Sequence, residues 1–144
     1  RFQEVFSQLF GGGTAQIVLT DPDNILTGGI DFYIQPPGKK RQQLTLLSGG
    51  ERALTVIALL FSFLDYRPAP FCVLDEVDAA LDEANVERFS SYLNRVNKET
   101  QFIVVSHRKK TMEAAEVLQG VTMVERGVSR LLTVSFEDVK EDLA

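Results

Sequence analysis

The feature that most constrains this chain is a polar loop that opens directly into a long apolar helix. The loop ends with Leu-Ser-Gly-Gly-Glu-Arg at residues 47–52, and apolar residues then dominate as far as Leu64. Ser48 is a good helix N-cap, and the two glycines allow a ligand or another backbone to approach closely. Because a bare helix N-terminus presents free N–H groups and the positive end of the helix dipole, this stretch is a candidate phosphate site. The alternative is a capped helix after a tight turn, with no ligand.

Length and composition limit the chain to one modest domain or part of one. Its 144 residues are 44% hydrophobic and 24% charged, which is enough to bury a core. The formal net charge of −5 excludes a polybasic nucleic-acid binder, so any DNA contact would need a local patch or a partner. Cys72 has no possible disulfide partner within the chain and, with no signal peptide in view, predicts a reducing compartment. Because the first residue is Arg1 rather than methionine, we expect either a fragment of a longer protein or an engineered chain.

The first 41 residues predict a helix, two strands and a basic loop. Residues 1–10 carry apolar side chains at helical spacing, and the three glycines at 11–13 should end that helix. These glycines lack the Gly-Lys-Ser/Thr of a phosphate-binding P-loop, so a helix stop is the better interpretation. Strand-like runs follow at 15–20 and 30–35. The basic triplets at 39–41 and 108–110 are interpreted as solvated surface, with phosphate as the target if either is functional.

Two short apolar runs, Phe71–Leu74 and Phe102–Val105, predict strands buried on both faces, as in a parallel sheet covered by helices. The first run ends in Asp75 and Glu76, and the second leads to His107. Ligands of open α/β sheets bind at the carboxyl ends of the strands. These three polar side chains are therefore expected to border one site in an α/β fold.

The remaining segments complete this arrangement. Asp82 is a plausible N-cap for a helix over residues 83–97, whose apolar side chains share one face. Residues 109–118 predict another helix, and 121–124 with 130–134 predict two closing strands across a turn at Gly127. The residues from Glu137 onward are interpreted as a short acidic helix or a tail.

The polar residues at the strand ends suit phosphoryl chemistry. An Asp such as Asp75 can hold Mg²⁺, because this hard cation prefers oxygen ligands. Glu76 can accept a proton from an attacking water or orient it, and His107 can donate to a γ-phosphate. The alternatives are an acidic strand end in solvent and a structural histidine. The order of the features favours function: a Ser-Gly-Gly-Glu helix start, then a strand ending in Asp-Glu, then a strand ending in His.

This order of motifs resembles that of the ABC-type ATPases. Residues 47–51 resemble their signature motif, 71–76 the Walker B strand, 80–82 the D-loop, and His107 the switch histidine. Residues 35–40 and 75–83 further resemble the C-terminal half of the ATPase head of bacterial SMC (structural maintenance of chromosomes) proteins, and the similarity runs from Phe2 to about Val134. The fold class that it implies is α/β: the C-terminal lobe of an ABC-type P-loop ATPase head, with helix-covered parallel core strands and short antiparallel strands.

The sequence contains no Gly-x-x-x-x-Gly-Lys-Ser/Thr P-loop motif, and this absence agrees with the resemblance. In the SMC family the P-loop and Q-loop lie in an N-terminal lobe, which a long coiled coil and a hinge separate in sequence from the C-terminal lobe. The resemblance therefore implies that residues 1–144 are half an enzyme. It makes residues 1–10 the foot of the returning coil, 47–65 the signature motif and its helix, 71–83 the Walker B strand and D-loop, and 102–107 the switch strand.

Individual roles follow from the same resemblance. It implies that Asp75 supports Mg²⁺, that Glu76 is the catalytic base, and that His107 contacts the γ-phosphate of ATP. The signature residues would serve the ATP held by a second head: Ser48, Gly49, Gly50 and Glu51, the first three at its γ-phosphate. Asp82 would communicate across the dimer.

The implied partners are the N-terminal lobe, a second identical head, a kleisin subunit and DNA. The implied location is the cytoplasm at the nucleoid, without a membrane. Chromosome condensation and segregation is the leading function, and two alternatives remain: the C-terminal lobe of a DNA-repair ATPase, and a module that chiefly docks a kleisin. A transporter subunit is disfavoured, because its P-loop would lie about a hundred residues upstream in the same compact domain.

Overall fold

The computed structural model describes residues 1–96 and 100–135, which form four α-helices, seven strands and one 3-10 turn. Their order is α1 (Phe2–Phe10), β1 (Thr14–Leu19), β2 (Ile30–Gln35), β3 (Gln42–Gln43), a 3-10 turn (Leu44–Leu46), α2 (Gly49–Tyr66), β4 (Phe71–Asp75), α3 (Glu83–Val96), β5 (Gln101–Val105), α4 (Lys109–Glu113), β6 (Val117–Glu125) and β7 (Val128–Ser135).

The predicted first helix and the two strands after it are confirmed. Helix α1 buries its apolar stripe and ends at Gly11, whose φ of 71° is the left-handed conformation that glycine adopts readily. Strands β1 and β2 pair antiparallel, and the two-residue strand β3, which the sequence did not predict, extends this sheet. Gly13 cannot carry a side chain, because a Cβ there would lie 2.3 Å from the carbonyl oxygen of Gln35.

A polar side chain joins α1 to this sheet. The Nε2 of Gln3 donates to the carbonyl oxygen of Gly13 at 3.2 Å, and its Oε1 accepts from the backbone N–H of Ala15 at 2.6 Å. Arg1 also forms an ion pair with Asp65 of α2, with 3.2 Å between Nε and Oδ2. The N-terminal end of the helix is therefore joined to both β1 and α2, in addition to the packing of its apolar face.

The core lies between α1, α2, α3 and one face of the β4–β5 pair. Phe61 of α2 stacks against Phe89 and Tyr92 of α3, with ring centroids 6.2 and 5.0 Å apart, and the ring of Phe102 meets it edge-on. The predicted apolar face of the helix after Asp82 is confirmed, although the predicted end of that helix at Asn97 lies outside the described residues. This packing sets the positions of the α2 and α3 N-termini and of the strand ends.

Strands β4 and β5 are parallel, as predicted, but only one of their faces is buried. Leu74 points into the core, whereas the other face exposes Phe71 (59%), Val73 (55%), Ile103 (47%) and Val105 (50%). The prediction of burial on both faces is therefore wrong for this chain. The apolar run was identified correctly, but the layer that would cover its second face is not among the described residues.

The last predicted helix is also wrong in extent. Helix α4 stops at Glu113, and β6 begins at Val117, where residues as far as 118 were predicted to be helical. The short apolar run around Val117 pairs with β7 instead, in a hairpin that turns at Gly127, as expected. The predicted acidic tail lies outside the described residues. Within the part that is described, no helix is long and apolar enough to cross a membrane.

Candidate functional site

The N-terminus of α2 is held by a reciprocal capping arrangement. The hydroxyl of Ser48 accepts from the backbone N–H of Glu51 at 3.4 Å, and the Glu51 carboxylate accepts from the Ser48 backbone N–H at 3.2 Å and from its hydroxyl at 2.8 Å. Such a capping box satisfies two backbone donors and fixes the angle at which the chain enters the helix. The predicted role of Ser48 as N-cap is confirmed.

The two glycines of this motif have different surroundings. A Cβ on Gly50 would lie 3.2 Å from the carbonyl oxygen of Ala80, so this glycine lets α2 pack closely against the loop that follows β4. A Cβ on Gly49 would meet nothing within 4 Å, and its φ is not in the left-handed region. Because glycine costs helix stability relative to alanine, and nothing in the described chain requires it at Gly49, its bare surface is available to an outside group.

A lysine completes this end of the helix. The Nζ of Lys39 lies 2.9 Å from the Oε1 of Glu51, whose side chain is 14% exposed. Burial alone would raise the pKa of Glu51, but the hydrogen bonds from Lys39 and Ser48 outweigh it, so the pKa lies below its ordinary value. The helix N-terminus thus carries an ionised Glu and a cation drawn from the basic loop. The sequence predicts a solvated surface for the triplet that contains Lys39, or a phosphate contact if the triplet is functional, and it does not predict this ion pair.

The carboxyl ends of β4 and β5 bring the other predicted site residues to one edge. Asp75 is the last residue of β4 and pairs in register with Val105. The next backbone N–H, that of Glu76, donates to the Val105 carbonyl oxygen at 2.9 Å. Glu76 has a φ of 48°, a conformation that is uncommon for residues other than glycine and that occurs often at functional sites. Both carboxylates are exposed.

His107 lies two residues beyond Val105, the register partner of Asp75, and it is exposed. Among the described residues, no hydrogen bond or ion pair joins His107 to Asp75 or Glu76. The three side chains therefore share one edge without being engaged with each other. This leaves their polar atoms available to a ligand.

Asp82 caps α3, as predicted: its Oδ1 accepts from the backbone N–H of Asn85 at 2.8 Å. The cap borders a cavity of about 460 Å³ between the starts of α2 and α3, and the predicted site residues that line it are Ser48, Gly50, Glu51 and Asp82. Asp75, Glu76 and His107 do not line it. The structure therefore divides the predicted residues into two groups, which we call the helix group (Ser48, Gly49, Gly50, Glu51, Asp82) and the strand group (Asp75, Glu76, His107).

The strand group suits Mg²⁺ only as a partial site. Asp75 offers exposed carboxylate oxygens, but no set of three potential metal ligands comes together within the described residues. Mg²⁺ usually keeps several waters and takes one or two carboxylates together with substrate phosphates. Asp75 fits that pattern as a single protein ligand.

Two further residues at the site were not identified from the sequence. Arg52 donates from Nη2 to the carbonyl oxygens of Thr45 and Leu47, at 3.1 and 3.3 Å, and so holds the loop before α2. Asp78 is fully buried behind the strand group. Its partners lie 28 and 33 residues away in sequence, so no local pattern indicated its burial.

Comparison with known proteins identifies the family. A model of the RecF/RecN/SMC N terminal domain matches residues 30–130. The chain is 63% identical over 140 residues to the chromosome partition protein Smc of Bacillus subtilis (strain 168), an alignment that covers 97% of this chain and 12% of that relative. The chain thus spans about an eighth of the length of such a relative.

Solved structures agree with the sequence match. A chain described in work on ATP-driven dimerization and DNA stimulated activation of SMC ATPases superposes with a TM-score of 0.85 at 38% identity, covering 99% of this chain and 86% of that one. The Smc head domain of Pyrococcus furiosus, with an extended coiled coil and bound to the C-terminal domain of ScpA, gives 0.88 at 39% identity, covering 99% of this chain and 35% of that one. The chain therefore belongs to the RecF/RecN/SMC family, and its fold is the predicted one, that of the C-terminal lobe of an ABC-type ATPase head.

Proposed function

We propose that this chain is one lobe of the ATP-hydrolysing head of an SMC protein that partitions chromosomes. The observation that carries the proposal is the separation of the helix group from the strand group. In a pair of engaged heads, the strand group would serve the nucleotide bound by its own head, and the helix group would serve the nucleotide bound by the other. The open space at Gly49 supports this reading, because that bare position has no use within the described chain.

The strand group would carry the chemistry. Asp75 would hold Mg²⁺, which supplies charge stabilisation to the phosphates when bound. Glu76 would take the proton of the attacking water, and His107 would donate to the γ-phosphate. The positive φ of Glu76 and its backbone hydrogen bond to β5 support its role, because together they fix the main chain of this residue at the turn where the two strands end.

The exposed face of β4 and β5 supports the second lobe as a partner. Four large apolar side chains on one small sheet are costly to leave in water, and an unpaired edge of β5 is a template for aggregation. Among the described strands β5 pairs only with β4. We propose that the N-terminal lobe covers this face, pairs with the free edge and brings the P-loop.

The remaining partners are proposed from the relatives. A second identical head would meet the helix group, as ATP-driven dimerization in the related ATPases suggests. A kleisin subunit and DNA would complete a cytoplasmic, nucleoid-associated complex, and the ScpA domain bound to the Pyrococcus head favours the kleisin. Docking of a kleisin is also the second candidate function. The name shared by the curated relatives favours chromosome partition over DNA repair.

The test compares this lobe alone with the lobe rejoined to the N-terminal lobe of the same protein. Because the P-loop would make most phosphate contacts, titration calorimetry with Mg-ATP should detect no binding by the lobe alone. The rejoined head should bind and hydrolyse ATP. Micromolar binding by the lobe alone, or a rejoined head that binds ATP without hydrolysing it, would contradict the proposal, and the latter result would favour kleisin docking.

A further inference from the structure

A buried carboxylate joins three segments behind the strand group. Asp78 lies in the turn after β4 and is fully buried. Its Oδ2 accepts hydrogen bonds from the hydroxyl of Ser106, in the loop after β5, at 2.6 Å, and from the hydroxyl of Thr111, in α4, at 2.5 Å. One oxygen atom therefore holds the turn, the loop and the helix together.

A second contact joins the same two loops. The backbone N–H of Arg108 donates to the Ser106 hydroxyl at 3.0 Å, and its guanidinium Nη2 donates to the carbonyl oxygen of Leu81. Ser106 and Arg108 flank His107, while Leu81 immediately precedes Asp82. The residues on both sides of the histidine are thus fixed to the segment that leads into the α3 cap.

The energetics of this cluster need an explanation. Short hydrogen bonds from hydroxyls to a carboxylate are charge-assisted and stronger than neutral ones, but burying a carboxylate is costly without full satisfaction. Asp78 Oδ1 and the buried Nε of Arg108 have no hydrogen-bond partner among the described residues. An apolar or neutral residue would avoid this cost if the turn needed only to be packed. The carboxylate is suited to fixing the two hydroxyl-bearing segments in one arrangement.

We propose that Asp78 is a positioning residue for ATP hydrolysis, which holds the loop of His107 against the turn that leads to Asp82. This inference rests on the proposed function of the head. Asp78 touches neither group of site residues directly and acts through Ser106, Thr111 and the segment at Leu81. It thereby links a residue assigned to the γ-phosphate with one assigned to the opposite head.

The test substitutes Asp78 in the full-length protein. Asp78→Ala removes the carboxylate oxygen that accepts from both hydroxyls and should lower kcat about tenfold or more, while KM for ATP stays within about twofold because Asp78 makes no nucleotide contact. Asp78→Asn keeps one acceptor oxygen and should restore part of the rate. The matched control is Ser62→Ala, which removes a buried hydroxyl that bonds only within α2, at 2.6 Å to Leu59, and should leave kcat unchanged.

A second variant protects the test against misfolding. Thr111→Val keeps the size and burial of the side chain and removes one of the two donors to Asp78, so kcat should fall about threefold with KM unchanged.

A double-mutant cycle tests the route through the histidine loop. If Asp78 acts through that loop, adding Asp78→Asn to a His107→Ala protein should lower kcat by much less than it does in the wild type. If the losses in kcat from Asp78→Asn and His107→Ala were additive in free energy, the inference would be overturned.

Hydrogen exchange gives a readout that does not need activity. In Asp78→Asn, the amides of residues 79–82 and 106–112 should exchange about tenfold faster together, whereas Ser62→Ala should change neither segment. If wild-type protein hydrolyses ATP and the Asp78 variants behave like Ser62→Ala, the inference fails and the proposed function stands. If the wild type has no ATPase activity, the proposed function fails, and unchanged exchange in Asp78→Asn would overturn the positioning role as well.

Discussion

The helix group and the strand group both lie at the surface, but the structure holds them in different ways. At the start of α2, the contacts are a capping box over four residues, one ion pair with Lys39 and the close approach at Gly50. At the ends of β4 and β5, the backbone depends on strand pairing and on the buried cluster around Asp78, beside a bare apolar face. In the first region, the polar groups at the helix start already have partners within the chain. The second region lies beside apolar side chains that nothing in the described chain covers.

This difference teaches how to tell two kinds of missing partner apart. A surface whose polar groups are already paired, and which includes a glycine that the fold does not require, indicates a binding site for a separate molecule. An exposed apolar face beside a polar edge indicates a missing layer of the same fold, because leaving it in water opposes folding. The predictions that follow test this distinction in the complete head, from the largest expected effect to the smallest.

Substitutions in the strand group should affect only the chemical step of ATP hydrolysis. Glu76→Gln preserves size and hydrogen bonding but loses the basic carboxylate, so hydrolysis should fall about a thousandfold while ATP binding and an ATP-dependent dimer persist. Single-turnover hydrolysis and size-exclusion chromatography with ATP measure the two effects. The control is Glu87→Gln, at an exposed position on α3. Hydrolysis close to wild type would show that Glu76 is not the base.

The helix group should control engagement with the second head. Ser48→Arg places a bulky cation at the start of α2, so ATP-dependent dimerisation should be lost and hydrolysis should fall about a hundredfold. Loss of the cap costs only about 1 kcal/mol, so the head should stay folded and still bind ATP. The control is Ser91→Arg on the exposed side of α3.

Mixing two inactive heads sharpens this prediction. If Ser48→Arg is combined with a head that lacks its P-loop lysine, one composite site of the mixed pair carries both lesions and the other carries neither. Partial recovery of ATPase activity is expected from the intact site. If Ser48→Arg itself lost nucleotide binding, the motif at residues 47–51 would act on the nucleotide of its own head. The helix group and the strand group would then serve the same nucleotide.

The apolar face of β4 and β5 should control association with the other lobe. With the lobes supplied as separate chains, Phe71→Ser should weaken their association by about 2 kcal/mol, roughly thirtyfold in affinity, and should improve the solubility of this lobe alone. Leu26→Ser is the control, because Leu26 is 99% exposed but lies in the loop between β1 and β2. A wild-type lobe that is monodisperse and well folded by itself would count against a missing layer.

The smallest effect concerns pH. Because the pKa of Glu51 lies below its ordinary value of 4.5 when folded, its contribution to stability is present above that value and is lost as pH falls through the folded pKa. Glu51→Gln should therefore lower stability by less than about 1 kcal/mol at neutral pH and reduce the loss in acid. Urea unfolding midpoints from pH 7 to pH 3, with Glu87→Gln as control, measure this. Parallel pH curves for the wild type and Glu51→Gln would contradict it.

The sequence predicted those features that depend on local order. The Ser48 and Asp82 caps, the apolar stripes of α1 and α3 and the polar strand ends all follow from side chains within a few residues of each other. The parallel pairing of β4 and β5 was also predicted, because two unbroken apolar runs that each end in polar residues are typical of α/β sheets.

The errors arise where distant partners decide the outcome. Residues 114–118 had a helical pattern, but Val117 pairs with β7, so β6 begins where the helix was expected to continue. The ion pair of Lys39 and the burial of Asp78 each depend on residues brought together only by the fold. Burial of both strand faces was inferred from the two unbroken apolar runs, and such a run does not show whether the covering layer belongs to the same stretch of chain.

The anchoring of α1 has a mechanical consequence. Gln3 joins the helix to the turn before β1, Arg1 joins it to α2, and Gly13 leaves no clearance beside β2. Because Gln3 contacts both this turn and β1, rotation of α1 about its axis would pull directly on the sheet. In the proposed head, α1 would be the foot of the coiled coil, and twisting of that coil would reach β1 and β2 as torque through these contacts.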